Sequence, residues 1–318
     1  MRATQFGAGS PGVEDARYTF FFGPFRLLSD IDITPLRQVT GSGRLSVSVE
    51  LAPVAETIPG AAILDEFCQV APNAYLLDMP GVARFLVEDG NRVRVQLAPD
   101  PPMADVCSFL LGSVFGALCH QNGLLPLHAS AVEDDGGVTA FLGDSGAGKS
   151  TLAACLQARG RRIVSDDICL LEDGPDGMGV VPVAGWVKLW RQSLDHLGEQ
   201  PDERNRVFTA HEKLDKFRLY LDPVTAGRPK LKNIILLARG ENASPRLEPL
   251  ATVEALAAMM ELTYLAYVVE LTGAQPALFQ RCARALTQAK GYRLILPWGL
   301  EHMDAVLDLL DRELFRGS

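Results

Sequence analysis

The stretch FLGDSGAGKST, Phe141–Thr151, fits the pattern G-x-x-x-x-G-K-[ST]. The apolar run VTAFL leads into it and TLAACLQARG follows. The first reads as a buried strand, the second as a helix stopped by Gly160. From background residue usage the bare pattern arises in roughly one chain of this length in a hundred, so the flanks decide the reading. They predict an α/β domain in which a phosphate-binding loop joins a strand to a helix.

Phosphate chemistry explains the residue types. Nucleotide phosphates carry dense negative charge. Gly143, Gly146 and Gly148 let the backbone turn tightly, so that N–H groups along Asp144, Ser145 and Ala147 can point inward. The helix from Lys149 onward aims its positive end at the same place. Lys149 supplies a full charge for β- and γ-phosphates, Ser150 a hydroxyl for Mg2+, and Thr151 can assist. The expected cofactors are ATP and Mg2+.

Working outward, residues 1–17 read as a loose tail of Gly, Ser, Pro and charges. Residues 18–100 read as a small β-rich N-terminal domain: YTFFFGPFRLL, RLSVSVEL, NAYLLDM, ARFLVEDG and RVRVQLAP are short, often alternating runs between turn residues. A hairpin turn is expected at Asp89-Gly90-Asn91. After the break PDPPM, residues 101–318 read as the catalytic domain. It should hold a helix over 104–123, then two strands joined by a turn at 134–137. After the loop and its helix come RRIVSDDICLLED as a strand or strand pair and LKNIILLAR as a buried strand. One helix is expected over 251–269 and another over 275–290. YRLILPW reads as a strand and EHMDAVLDLLDREL as an amphipathic helix.

The net charge of −9 argues against a general partner among nucleic acids or anionic membranes, which attract an excess of Lys and Arg. The N-terminus lacks the apolar stretch of a signal peptide, and no apolar run reads as long enough to span a bilayer. The six cysteines are scattered, without a C-x-x-C pair, and read as reduced and buried. The expectation is a soluble cytoplasmic protein.

Phosphoryl transfer also needs a metal ligand and a proton acceptor. Asp166 and Asp167 end the run RIVSDD, where the strand after the loop helix should face the phosphates. Two carboxylates allow one for metal and one for base; the alternative is that one merely caps a turn. His128, in LHASAV, is by itself more often a satisfied core residue, but its strand should lie beside the loop strand and near Asp166.

His128 stands fifteen residues before Gly143, and Asp166 stands sixteen after Ser150. With GDSGAGKST and RGRRIVSDD, this set resembles the catalytic domain of bacterial HPr kinase/phosphorylase in both residue type and spacing. The likeness covers about residues 122–175. It implies a P-loop kinase core of the HPr kinase and phosphoenolpyruvate carboxykinase type, preceded by the β-rich domain and followed by C-terminal helices. It implies Asp166 as the base, Ser150 and Asp167 near the metal, and His128 in support of the acid–base site. That family forms hexamers, so the resemblance extends to a homo-oligomer. Downstream the chain departs from it: a Glu-Ile-Arg-Gly-type segment is replaced by VPVAGWVKLWRQS. The layout is similar to the shorter HPr-kinase-like proteins, lasso-peptide kinases among them, which phosphorylate a Ser of a ribosomal peptide.

Among other residues, Lys188, Arg191, Lys213, Lys216 and Arg218 are the nearest downstream cations, and at least one should reach the γ-phosphate or an acidic substrate. Arg228 is a weaker candidate. Trp186 and Trp190 flank Lys188 and read first as core. His120, His196, His211 and His302 lack metal-ligand spacing. Three readings follow: a serine kinase acting on a peptide or protein, a carboxykinase-like or small-metabolite kinase, and a non-catalytic nucleotide-binding scaffold.

Overall fold

Parallel strands with two apolar faces need a helical layer on each side. The computed structural model describes residues 18–37, 39–41, 43–183, 185–209, 214–221, 227–240 and 244–315, and it has this arrangement. The expected tail, 1–17, lies outside the described residues. The central sheet runs in the order Arg162–Ser165, Ala129–Asp134, Gly137–Leu142, Leu231–Arg239, Lys290–Leu296, Arg246–Pro249. Gly137–Leu142, Leu231–Arg239 and Lys290–Leu296 are mutually parallel. The other pairings are antiparallel.

Side chains alternate across this sheet. Phe141 and Ile235 join a core with Leu152 and Leu156 of the helix Lys149–Ala158 and with Val306 and Leu310 of the helix Met303–Glu313. Ala140, Leu142 and Ile234 join a second core, with Met259 of Thr252–Glu261 and Cys282 of Gln275–Leu286.

Beside it lies a three-stranded sheet, Gly179–Val181, Cys169–Glu172 and Leu125–Leu127. The chain passes between the two sheets at His128, after Leu127, and again at Asp166–Asp167, between Ser165 and Cys169. A separate two-stranded ribbon pairs Trp186–Trp190 with Lys216–Tyr220.

Strands from Tyr18 to Leu97 form an eight-stranded sheet. Glu88 pairs with Arg92 across Asp89-Gly90-Asn91, the hairpin expected from the sequence. The apolar core does not stop at the proline break near residue 100. Val47 and Phe85 of the sheet share one core with Val106, Phe115 and Cys119, and with Leu170, Val183 and Trp186 beyond. Phe115 lies between Phe22 and Phe25, with ring centroids 4.3 and 5.5 Å away.

Two expectations are corrected. The helix after the break, Met103–Gln121, has 19 residues and a hydropathy of 1.5, long and apolar enough to cross a membrane by those measures. Here it is a core element, 72% of its most apolar window lying inside the molecule. The helix also has a π-helical turn at Leu110–Val114. The second correction concerns 251–269, which forms two helices, Thr252–Glu261 and Ala266–Leu271. The intervening backbone binds elsewhere: His128 N–H donates to the Leu262 carbonyl at 2.8 Å and Tyr264 N–H to the Pro126 carbonyl at 2.9 Å. Leu265 then turns the chain at a φ of +54°. The docked segment packs against the long helix at Gly116, where a Cβ would lie 2.7 Å from the Tyr264 ring. All six cysteines are buried and unpaired.

Two outcomes follow from this packing. Phe115→Ala should cost about 3–5 kcal/mol by denaturant titration, with the sheet of residues 18–97 and the three-stranded sheet that carries Leu170 and Val181 melting in one transition because they share its core. His120 is half-buried and contacts the Tyr264 carbonyl through Nε2 at 2.6 Å. Burial holds its pKa below 6.5 against that contact. The unfolded chain therefore takes up a proton that the native state refuses, and stability should fall as pH drops below about 6.5. His120→Gln should flatten that part of the pH–stability curve.

Candidate active site

Strand direction gathers the predicted residues. The parallel strands Gly137–Leu142, Leu231–Arg239 and Lys290–Leu296 end at one edge of the central sheet. The first is followed by the glycine loop, the second ends on Arg239, and the third is followed by Pro297 and Trp298. Ala129 pairs with Leu142, so His128 arrives at the same edge. Ala131 pairs with Ser165, and Asp166–Asp167 follow there too. Ligands bind at such carboxyl edges in open α/β sheets.

A cavity of about 480 Å³ opens at this edge. Ser145 through Thr151 line it, together with His128, Asp167, Lys188 and Lys216. Gly146 and Gly148 hold φ values of +83° and +99°, which a Cβ would strain. Gly143 and Asp144 contribute differently: their carbonyls accept hydrogen bonds from Lys149 Nζ at 2.6 and 2.9 Å. Burial lowers the Lys149 pKa to about 8 even though Asp167 and Asp166 draw it upward. Ser150 lines the cavity. The Thr151 hydroxyl is 2.9 Å from that of Ser193, which ties the loop helix to the helix Arg191–Leu197.

The two aspartates differ in surroundings. Asp166 is buried and does not line the cavity. One of its oxygens accepts from the Ser130 hydroxyl at 2.7 Å and the other from the Lys188 backbone N–H at 2.8 Å. Asp167 does line it, from a left-handed backbone at φ +71°. Its Oδ2 lies 2.7 Å from Lys188 Nζ. Burial pushes the Asp167 pKa up, but Lys188 and then Lys216 outweigh it and hold the carboxyl well below the usual range.

His128 meets Asp167, not Asp166. Its Nδ1 is 3.2 Å from the Asp167 carbonyl and 3.5 Å from Oδ1. Burial, then the Lys149 ammonium, lower its pKa below 6.5 against the pull of the aspartates, so the ring is neutral at pH 7. With the proton on Nδ1 donated to the carbonyl, Nε2 keeps a lone pair.

Of the downstream cations, Lys188 and Lys216 reach the cavity. Arg191 pairs with Asp215 and Glu203, and Arg218 is buried with one Nη donating to the Ser108 hydroxyl at 2.6 Å. Arg228 donates to the Glu172 carbonyl. Lys213 and His211 lie outside the described residues. Trp186 is core, stacked on Phe22, whereas Trp190, expected to be core, is 37% exposed and lines the cavity. Sequence reasoning passed over Arg239, Trp298 and His302, which also line it. The signal for the first two was in the sequence: each ends or follows an apolar run read as a strand.

No group of three or more His, Cys, Asp or Glu side chains able to hold a metal occurs among the described residues. Ser150 and Asp167 line the same cavity, and a hydroxyl with one carboxylate suits Mg2+, which takes few protein oxygens and completes its shell with waters and substrate phosphates.

No family model matches the chain, and no curated protein does. Thirty-eight chains of solved structures match it. One is the Hpr(Ser) kinase/phosphatase from Coxiella burnetii, 13% identical, with the match covering 60% of this chain and 91% of that one at a TM-score of 0.29. At that TM-score and identity the likeness carries no argument about this chain.

Asp166→Asn turns one acceptor into an amide donor facing a donor. It should lower stability by about 1–3 kcal/mol, read as a drop in thermal midpoint relative to wild type.

Proposed function

We propose that this chain is an ATP- and Mg2+-dependent phosphotransferase that moves the γ-phosphoryl group to a hydroxyl, with a Ser of a peptide or protein as acceptor. One observation carries the reading: the glycine loop and Lys149 share a cavity with Asp167, His128, Lys188 and Lys216. Three ammonium groups around one carboxylate suit an anionic substrate. A neutral imidazole beside them suits the proton of an alcohol. The serine acceptor rests on the spacing of His128, the loop and the aspartates.

In this reading Lys149 leaves the carbonyls of Gly143 and Asp144 and binds the β- and γ-phosphates. Ser150 and Asp167 would hold Mg2+, which supplies charge neutralisation on those phosphates. Lys188 and Lys216 stabilise the charge that develops during transfer. The acceptor oxygen forms a bond to the γ-phosphorus as the bond to the β–γ bridging oxygen breaks, ADP leaves, and the alcohol proton passes to His128 Nε2. Asp166 is a positioning residue: through Ser130 and the Lys188 backbone it braces the crossing that presents Asp167.

The test is transfer from γ-labelled ATP with Mg2+ to peptides encoded beside the gene and to lysate of the native host. Wild type should label a Ser-containing product, and Lys149→Ala and Asp167→Asn should each reduce the rate by about 10²–10³-fold. His128→Gln should lose transfer while ATP binding, measured by calorimetry, persists. If Asp166→Asn abolishes transfer with fold and binding intact while His128→Gln does not, the base is Asp166. ATP binding without labelling of any acceptor would favour the scaffold.

A further inference from the structure

The cavity lining combines two chemically different sets of side chains. Lys149, Lys188 and Lys216 act on Asp167. Leu296, Pro297, Trp298, Met303 and Val306 are apolar. The glycine loop lines the same cavity. A nucleotide has the same division, with a charged tail and a flat, weakly polar base.

We propose that Trp298 is the stacking platform for the base of the nucleotide whose phosphates the loop takes. The inference rests on the nucleotide reading above and extends it to a subsite. Trp298 is 68% exposed, the most exposed of the three tryptophans. Yet the ring is held. The Arg239 guanidinium carbon lies 4.9 Å from its centroid, within cation–π range. That same guanidinium donates to the Pro297 carbonyl at 3.0 Å and to the Ala147 carbonyl of the glycine loop at 3.2 Å. One arginine thus ties the indole to the middle of the phosphate loop. It sits over the ring at one place, and most of the indole stays exposed.

The other tryptophans do not meet these terms. Trp186 is buried against Phe22 and Tyr220. Trp190 sits with Lys216, whose Nζ is 5.9 Å from its ring, on the ribbon that carries the catalytic cations. It belongs with the cations that the proposed transfer uses. Trp298 belongs with the apolar lining, tied to the glycine loop through Arg239. Stacking uses a π-face and no particular base edge, so the platform tolerates different bases and adds affinity beyond the phosphates.

Calorimetry with two probes, MgATP and magnesium tripolyphosphate, tests this on the full chain. Trp298→Ala should weaken MgATP by about tenfold or more, the size of one stacking contact, and leave tripolyphosphate unchanged. Trp298→Phe should retain most of the affinity. Lys149→Ala should weaken both probes. The tripolyphosphate affinity of Trp298→Ala serves as the control for an intact loop. Equal loss of both probes would assign Trp298 a structural role and overturn the platform, as would no loss of either. In both cases wild-type binding would leave the nucleotide reading standing. If wild type binds neither probe, the nucleotide reading itself fails and the platform goes with it.

Discussion

A hairpin register, Ala129 opposite Leu142, governs where the chemistry of this chain can lie. It places the residue before one strand beside the loop after the other, so His128 and Ser145–Thr151 share a cavity wall although the chain runs out and back between them. The pairing of Ala131 with Ser165 then brings the aspartates to the same edge. Both crossings between sheets occur there. A register slip of one residue would turn the inward side chains of these strands to the wrong layer and carry His128 away from Asp167.

Charge balance follows from that convergence. Lys149 is buried, and a buried ammonium is costly unless it is paired or hydrogen-bonded. In this structure two loop carbonyls receive it. Asp167 is matched by Lys188 at 2.7 Å, while Asp166 is satisfied by a hydroxyl and a backbone N–H. Adjacent in sequence, the aspartates differ because the crossing turns one inward and the other toward the cavity. The left-handed backbone of Asp167 is part of that turn, a conformation Asp tolerates better than most residues.

Much of this could be read before the structure was seen. The loop motif carries its own geometry. The separations from His128 to Gly143 and from Ser150 to Asp166 encode a hairpin and a helix-plus-strand return, so local pattern reached the site. What escaped depended on contacts far apart in sequence. The break at Tyr264 arises because 262–264 finds backbone partners at 126–128, which helical periodicity cannot reveal. Arg218 and Lys216 are two apart on one strand, yet one binds Ser108 inside the core and the other lines the cavity. Trp298 follows its strand as the sequence suggested, but its relation to Ala147 passes through Arg239 and needs three strands in register.

The long helix Met103–Gln121 has a consequence for how the chain is made. A segment this apolar, emerging alone from a ribosome, resembles what the insertion machinery of a membrane recognises and what aggregates in water. The strands of residues 18–97 emerge before it and already carry Phe22, Phe25, Val47 and Phe85, which cover it in the finished fold. The order of synthesis therefore delivers the cover ahead of the hazard. Leu170, Val183 and Trp186 arrive later and close the remaining side. Moving this helix ahead of its sheet by circular permutation would keep every native contact and expose the chain to a different fate during its synthesis.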